Sequence, residues 1–312
     1  MKLGVVGTLV WDTIYGRDPG RGAFEEWGGI AYALAALEAA LPEGWDVVPL
    51  VKIGRDMAPR ANTLLRSLSR RAPTARFIEV MEPTNRVTLH YHAGSRRTEQ
   101  LTGGVPPWRW EELGPLVADC DAVYCNFISG FECDLPTAEQ LRAGFAGPIY
   151  ADLHSLLLGI REGGHRVPQP LPDADRWFAC FDAVQVNDDE MALLGSDPLG
   201  VAARALAAGV RLFIVTLGPK GAAYFTQGPW STHRQARSGP LENRHVPAPV
   251  VLKDSEPTGC GDVFGATLLA RLLAGDAIEP AMIAANSAAA RNVTHRGATN
   301  LHFHLRGAIA PV

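Results

Sequence analysis

The 312-residue chain carries a formal charge of −4 with 47% hydrophobic and 20% charged residues. That is apolar material for a large buried core, without the basic excess that neutralises a nucleic-acid backbone. The 32 glycines and 23 prolines form no low-complexity run, the five cysteines are odd in number without a Cys-x-x-Cys pair, and no stretch approaches 18 uninterrupted apolar residues. Neither a disulfide framework, a zinc ribbon nor a membrane span is indicated. One α/β domain over residues 1–312 with a small appendage, in the cytoplasm, is the expectation. The basic pairs Arg70-Arg71 and Arg96-Arg97 read as solvated surface.

In chain order, LGVVGTL at Leu3–Leu9 reads as a first buried strand followed by a loop near Asp12. Its Gly4-x-x-Gly7 pair lacks the third glycine and the immediate helix of a dinucleotide fingerprint. Trp27-Gly28-Gly29 precedes IAYALAALEAAL, Ile30–Leu41, apolar on nearly all sides and so a buried helix. The two glycines make a turn, or let a ligand's hydroxyls approach the backbone. WDVVPLVKIG at 45–54 is the next strand, with a helix around Ala61–Leu68. From Phe77 to Leu101 apolar and polar residues alternate between breaks at Pro83-Thr84-Asn85 and Ala93-Gly94-Ser95, the pattern of half-exposed hairpin strands. This stretch and part of Thr13–Glu26 form the expected β lid, about 13–26 and 77–101. His90 and His92 share one strand face, but with no acidic or cysteine partner near in sequence a polar face is favoured over a metal site.

Beyond Pro106 strands and helices alternate. Strands are expected at Ala122–Phe127, Ile149–Leu153, which delivers Asp152 and His154, Ala183–Asn187 and Arg211–Thr216. Helices are expected at Thr137–Phe145, Asp189–Leu194 and Val201–Ala208, and a turn at Leu217–Gly221. Such alternation calls for a parallel sheet with helices on both faces, and ligands collect beyond the carboxyl ends of its strands. Asp12, Asn126, Asp152, Asn187 and Thr216 all fall at predicted strand ends and so face one cleft. Last comes EPTGCGDVFGATLLARLLA, Glu256–Ala274, a glycine turn feeding a helix. Unpaired backbone N–H groups and the helix dipole there suit an anion such as phosphate. Asp262 is then either an N-cap or a general base beside a phosphate cradle.

Four motifs in order resemble the PfkB or ribokinase-like carbohydrate kinases: Gly28-Gly29 before a helix, VNDDEMALLG at 186–195, VTLGPKGA at 215–222 and PTGCGDVFGA at 257–266. The resemblance implies a central, mostly parallel sheet flanked by helices with a small β lid. It implies Asp262 as the base that takes a proton from the attacking hydroxyl, with the amides of Gly259, Cys260 and Gly261 as the anion hole. Asn187 and Glu190 resemble the element that holds hydrated Mg²⁺, beside their simpler reading as a helix cap and a first-turn acid. Thr216, Gly218 and Gly221 resemble the ATP-binding turn, and Asn286 sits where the family approaches the adenine. Asp12 resembles the acid that grips sugar hydroxyls, Gly28 and Gly29 the backbone under the sugar, and Asn126 a further substrate contact.

Two departures carry weight. No asparagine follows the double glycine in the GGxxxN register, where Ala33 and Tyr32 stand. Glu256 replaces the Asp that commonly precedes the turn, which puts the relatives' monovalent-cation (K⁺) site in doubt. The expected activity is ATP-dependent phosphorylation of a hydroxymethyl group on a sugar or sugar-like molecule. A nucleoside is the alternative acceptor, with Tyr32 and the lid as the surface for its base. A non-catalytic sugar- or nucleotide-binding regulator is the alternative of a different class. A homodimer through the lid's edge strands is a plausible assembly.

Overall fold

The computed structural model describes residues 1–16, 22–92, 97–232, 239–250 and 257–307. Its centre is an eight-stranded sheet in the order Glu242–Val246, Ala222–Thr226, Leu212–Thr216, Ala183–Asn187, Ile149–Asp152, Ala122–Asn126, Lys2–Val6, Asp46–Leu50. The six strands from Leu212–Thr216 to Asp46–Leu50 are parallel; the other two are antiparallel. Period-two alternation divides the side chains between two cores. Tyr124, Tyr150 and Ile214 point into one with helices Ile30–Ala40, Cys260–Leu273 and Ile278–Asn292, while Cys125, Ala151 and Phe213 point into the other with Leu135–Gly144 and Pro198–Ala208. This is the α/β architecture with helices on both faces that the strand–helix alternation predicts.

The predicted first strand is two elements, and the break has a steric cause. A Cβ on Gly7 would lie 2.2 Å from Ile30 Cγ2, so only glycine lets the chain pass this close to the helix start. Lys2–Val6 stays in the central sheet, and Leu9–Tyr15 leaves it for the lid. Asp12 is therefore mid-strand, not in a loop.

The lid is a four-stranded sheet in the order Phe24–Gly29, Leu9–Tyr15, Arg86–Tyr91, Arg97–Thr102. Its inner face buries Val10, Ile14, Val87, Leu89, Tyr91 and Leu101. Ile78–Val80, expected in the lid, pairs instead with Lys52–Gly54, a short strand separated by Val51 from Asp46–Leu50. His90 stacks on Tyr15 at 4.4 Å, and His92 meets Thr98 Oγ1 at 3.2 Å.

Candidate active site

The motif helix Cys260–Leu273 starts at Gly259, whose φ of 77° is left-handed. A Cβ there would lie 2.3 Å from the Tyr32 ring, so glycine is required by conformation and by space. Further along, Gly265 lets the helix lie against the sheet, since a Cβ would meet Gln185 Oε1 at 2.6 Å and Tyr124 Oη at 2.8 Å. Asn292 donates to the Thr258 carbonyl at 2.8 Å and to Cys260 Sγ at 3.3 Å, fixing the turn from behind. Its only sequence signal is an amide within an alanine-rich helix. The Cys260 thiol faces inward, and burial pushes it up to about 11. The Cys260 N–H turns back to Pro257 O at 3.2 Å, so its predicted place in the anion hole is taken up by the turn.

Asp262, one turn into this helix, makes no N-cap bond: the N-cap position is Gly259, without a side-chain cap. Its Oδ1 accepts from Asn126 Nδ2 at 2.7 Å, while Asn126 Oδ1 is buried without a partner among the described residues. A buried acceptor in that state is open to a hydroxyl donor. Burial raises the Asp262 carboxyl above its ordinary value, against the Asn126 bond and the charges of His154 and Arg97. Asp12 is raised well above the usual range, by burial first and then by Glu99, with Arg97 opposing. A Cβ on Gly28 would lie 1.8 Å from Asp12 Oδ2: the glycine yields its side-chain space to the carboxylate. Gly29, at φ 57°, turns the lid strand into the helix.

Behind Asp262 a row of acids continues along the strand ends. Gln185 Nε2 donates to Asp152 Oδ2 at 2.8 Å and to Gly261 O at 3.1 Å, and its Oε1 accepts from Tyr150 at 2.7 Å. Burial, then Glu190 and Asp262, push Asp152 up to about 8. Asn187 and Glu190 form a reciprocal capping box: Glu190 N donates to Asn187 Oδ1 at 2.8 Å and Asn187 N to Glu190 Oε2 at 2.8 Å. The cap reading of this pair is thus realised in the structure. Glu190 also binds His154 Nδ1, and Glu190 raises the imidazole to about 9 against burial.

The sign of the Asp152 shift sets a stability prediction. The folded protein keeps a proton that an unfolded carboxyl loses near pH 4, so the metal-free protein is destabilised as pH rises from about 4 to about 8. Asp152→Asn is expected to raise Tm more at pH 8 than at pH 5 in melts with chelator. An equal gain at both values contradicts the shift.

On the donor side Thr216 pairs with Asn187 across adjacent strands. Gly218, at φ 56°, has open space at its Cβ position, and Gly221, at φ 97°, lies against the backbone of 246–248. Asn286 is buried and donates to Val246 O at 2.9 Å; its amide braces the wall behind the turn, where the sequence reading put it against adenine. Glu256 lies outside the described residues, and with it the K⁺ reading. A cavity of about 540 Å³ beside the lid is lined by Leu101, Phe131, Leu156, Ile160 and Trp177 among others, and contains none of the predicted site residues.

Besides Asp12 and Gly28, two further lid residues reach the site. Tyr91 Oη is hydrogen-bonded to Thr258 Oγ1 at 2.7 Å, tying the lid to the glycine turn. Arg97, expected in solvent, turns inward: Nη2 lies 3.3 Å from His154 Nε2 and 3.7 Å from Glu99 Oε2, with a side chain 34% exposed. Tyr91→Phe is expected to loosen the lid by about 1 kcal/mol. Faster hydrogen exchange in 86–91 checks it; unchanged exchange counts against the latch.

Known proteins share this fold. Residues 165–303 match the pfkB family carbohydrate kinase model, a span holding three of the four motifs. Over nearly its whole length the chain resembles solved structures at 16–20% identity. A pyrophosphate-dependent kinase in the ribokinase family has 17% identity and TM-score 0.74, covering 95% of this chain and 96% of its own. An Escherichia coli protein assigned as ribokinase II, in complex with ATP and Mg²⁺, has 18% and 0.70, covering 98% and 99%. A Burkholderia thailandensis nucleoside kinase solved with inosine has 18% and 0.67, covering 97% and 94%. A search of curated proteins gives no match. The chain thus matches the pfkB family carbohydrate kinase model over 165–303 and shares the fold of ribokinase-family structures over nearly its whole length.

Proposed function

We propose that the protein is an ATP-dependent kinase that transfers the γ-phosphoryl group to a hydroxymethyl group of a sugar or sugar-like molecule. The observation that carries this reading is Asp262 at the first turn of the motif helix, held by Asn126 at 2.7 Å, with the buried Asp12 and Gly28 on the acceptor side. The acceptor hydroxyl donates its proton to Asp262 as its oxygen attacks the γ-phosphorus. The bond from that phosphorus to the bridging oxygen breaks, and ADP leaves. The amides of Gly259 and Gly261 face the charge that develops on the phosphoryl oxygens. Asp12 and Asn126 Oδ1 orient the acceptor; Thr216, Gly218 and Gly221 border the nucleotide.

The donor set also fits Mg²⁺. Asn187 and Glu190 present oxygens, and the charges of Glu190 and Asp262 add to burial in raising Asp152, a crowding of acids that a divalent cation relieves. Asn187 and Glu190 would hold it, partly through water. When bound it neutralises phosphate charge. No helix among the described residues is long and apolar enough to cross a membrane, in keeping with the proposed cytoplasmic site of action. Association of two copies through the lid is part of the same proposal, and the sedimentation mass tests it.

Tyr32 gives the nucleoside alternative no support: its ring is 3% exposed and packs under Gly259, so it offers no face to a base. The test is acceptor-dependent ADP release across a panel of sugars, polyols and nucleosides with Mg²⁺, and pyrophosphate as a parallel donor. Release with a sugar or polyol supports the proposal; a nucleoside-only or pyrophosphate-only response contradicts it.

A further inference from the structure

We propose that Arg97, carried on the lid strand Arg97–Thr102, binds the transferred phosphoryl group, so that closing the lid brings a guanidinium to a site lined by carboxylates. The inference rests on the kinase reading and deepens it. The acids in or around the site are Asp12, Glu26, Glu99, Asp152, Glu190 and Asp262, as their mutual influence shows. Among the described residues the cations acting on them include Arg97 and His154, with Arg166 acting on Glu99, and His154 is already bound to Glu190. A phosphoryl group entering this field meets net repulsion unless a cation faces it.

Arg97 has the geometry for that task. Its charge acts on both Asp12 and Asp262, and its Nη2 lies 3.3 Å from His154, just past the strand end at Asp152. Among the described residues no carboxylate holds it in a fork: Glu99 stands at 3.7 Å, beyond hydrogen-bond distance, while Nη2 rests 3.3 Å from a ring nitrogen. Guanidinium donors match phosphoryl oxygens in pairs. The lid strand beside it is latched to the anion-hole turn through Tyr91 and Thr258, so the placement of Arg97 and the assembly of the turn are one event. Tyr91, by a side-chain hydrogen bond, and Glu99, by charge, hold the side chain near the site.

Steady-state kinetics on Arg97→Ala and Arg97→Lys test the assignment. The expected result is a loss in kcat of about 10²–10³-fold for the alanine variant with the acceptor KM little changed. Partial recovery is expected with lysine, and further recovery of the alanine variant with free guanidinium. A kcat that holds while the acceptor KM rises would place Arg97 on the acceptor and overturn the proposal, as would failure of both lysine and guanidinium to restore any rate. Titration calorimetry of inorganic phosphate into protein with Mg·ADP gives an arm independent of turnover. Phosphate binding is expected to weaken at least tenfold in Arg97→Ala; equal binding, or none in either protein, overturns it. Absence of turnover in the unmodified protein with every acceptor would fail the kinase reading, and the calorimetry still decides Arg97.

Discussion

Replacing Asp262 with Asn is expected to lower kcat by about 10²- to 10⁴-fold, the range a positioned general base supplies, or roughly 3–5 kcal/mol of barrier. The fold should survive. Asp262 makes no cap bond, Asn has nearly the same volume, and removing a buried carboxylate that burial already disfavours costs the folded state little. The Asn126 amide would then face an amide in place of a carboxylate oxygen, a local rearrangement visible in a crystal structure of the variant. The pH profile follows from the sign of the shift. The base must be ionised to act, and its carboxyl is raised in the folded protein. The acidic limb of kcat/KM should therefore fall at a higher pH than an ordinary aspartate gives. Turnover of the Asn variant at the unmodified rate would remove Asp262 from the mechanism.

Gly259→Ala should damage both the fold and the site. A non-glycine residue at φ 77° is strained by about 1–2 kcal/mol, and the new Cβ would lie 2.3 Å from the buried Tyr32 ring, an overpacking cost of a further 1–3 kcal/mol or so. The clash is with a ring held inside the core, so the turn is the partner that shifts, and the anion hole shifts with it. Chemical denaturation should show a loss of about 2–5 kcal/mol, with activity reduced by more than the lost stability accounts for. Adding Tyr32→Ala relieves the clash and leaves the strain, so the double variant should be more stable than the sum of the two singles predicts. Strict additivity would mean that ring and turn are not in contact.

Strands that are apolar throughout and bounded by turn residues were readable from pattern alone; Ala183–Asn187 has the limits its composition implies. Trp110–Val117 was not, because Gly114 and Pro115 interrupt a helix that tertiary packing of Leu113 and Val117 sustains. Glu242–Val246 was hidden by four exposed polar positions in an edge strand. The site was legible where chemistry depends on local backbone, as in the glycine turn at 257–261 and the Asn187–Glu190 spacing. It was illegible where a residue acts by where the lid carries it. Arg97 has the sequence context of a surface cation and comes beside His154 only because Arg97–Thr102 pairs with Arg86–Tyr91 as an edge strand of the lid. Asp12 was found for its type and misplaced in its element, since the turn at Gly7 depends on the distant helix start at Ile30.

The central claim is that a hydroxyl of a sugar or sugar-like acceptor receives the γ-phosphoryl group under the control of Asp262. The most direct measurement follows acceptor and nucleotide together by mass spectrometry, in unmodified and Asp262→Asn protein with ATP and Mg²⁺. The account predicts one phosphorylated acceptor for each ADP formed, and loss of both products in the variant. ADP formation without acceptor phosphorylation, or equal yields from the two proteins, would contradict it.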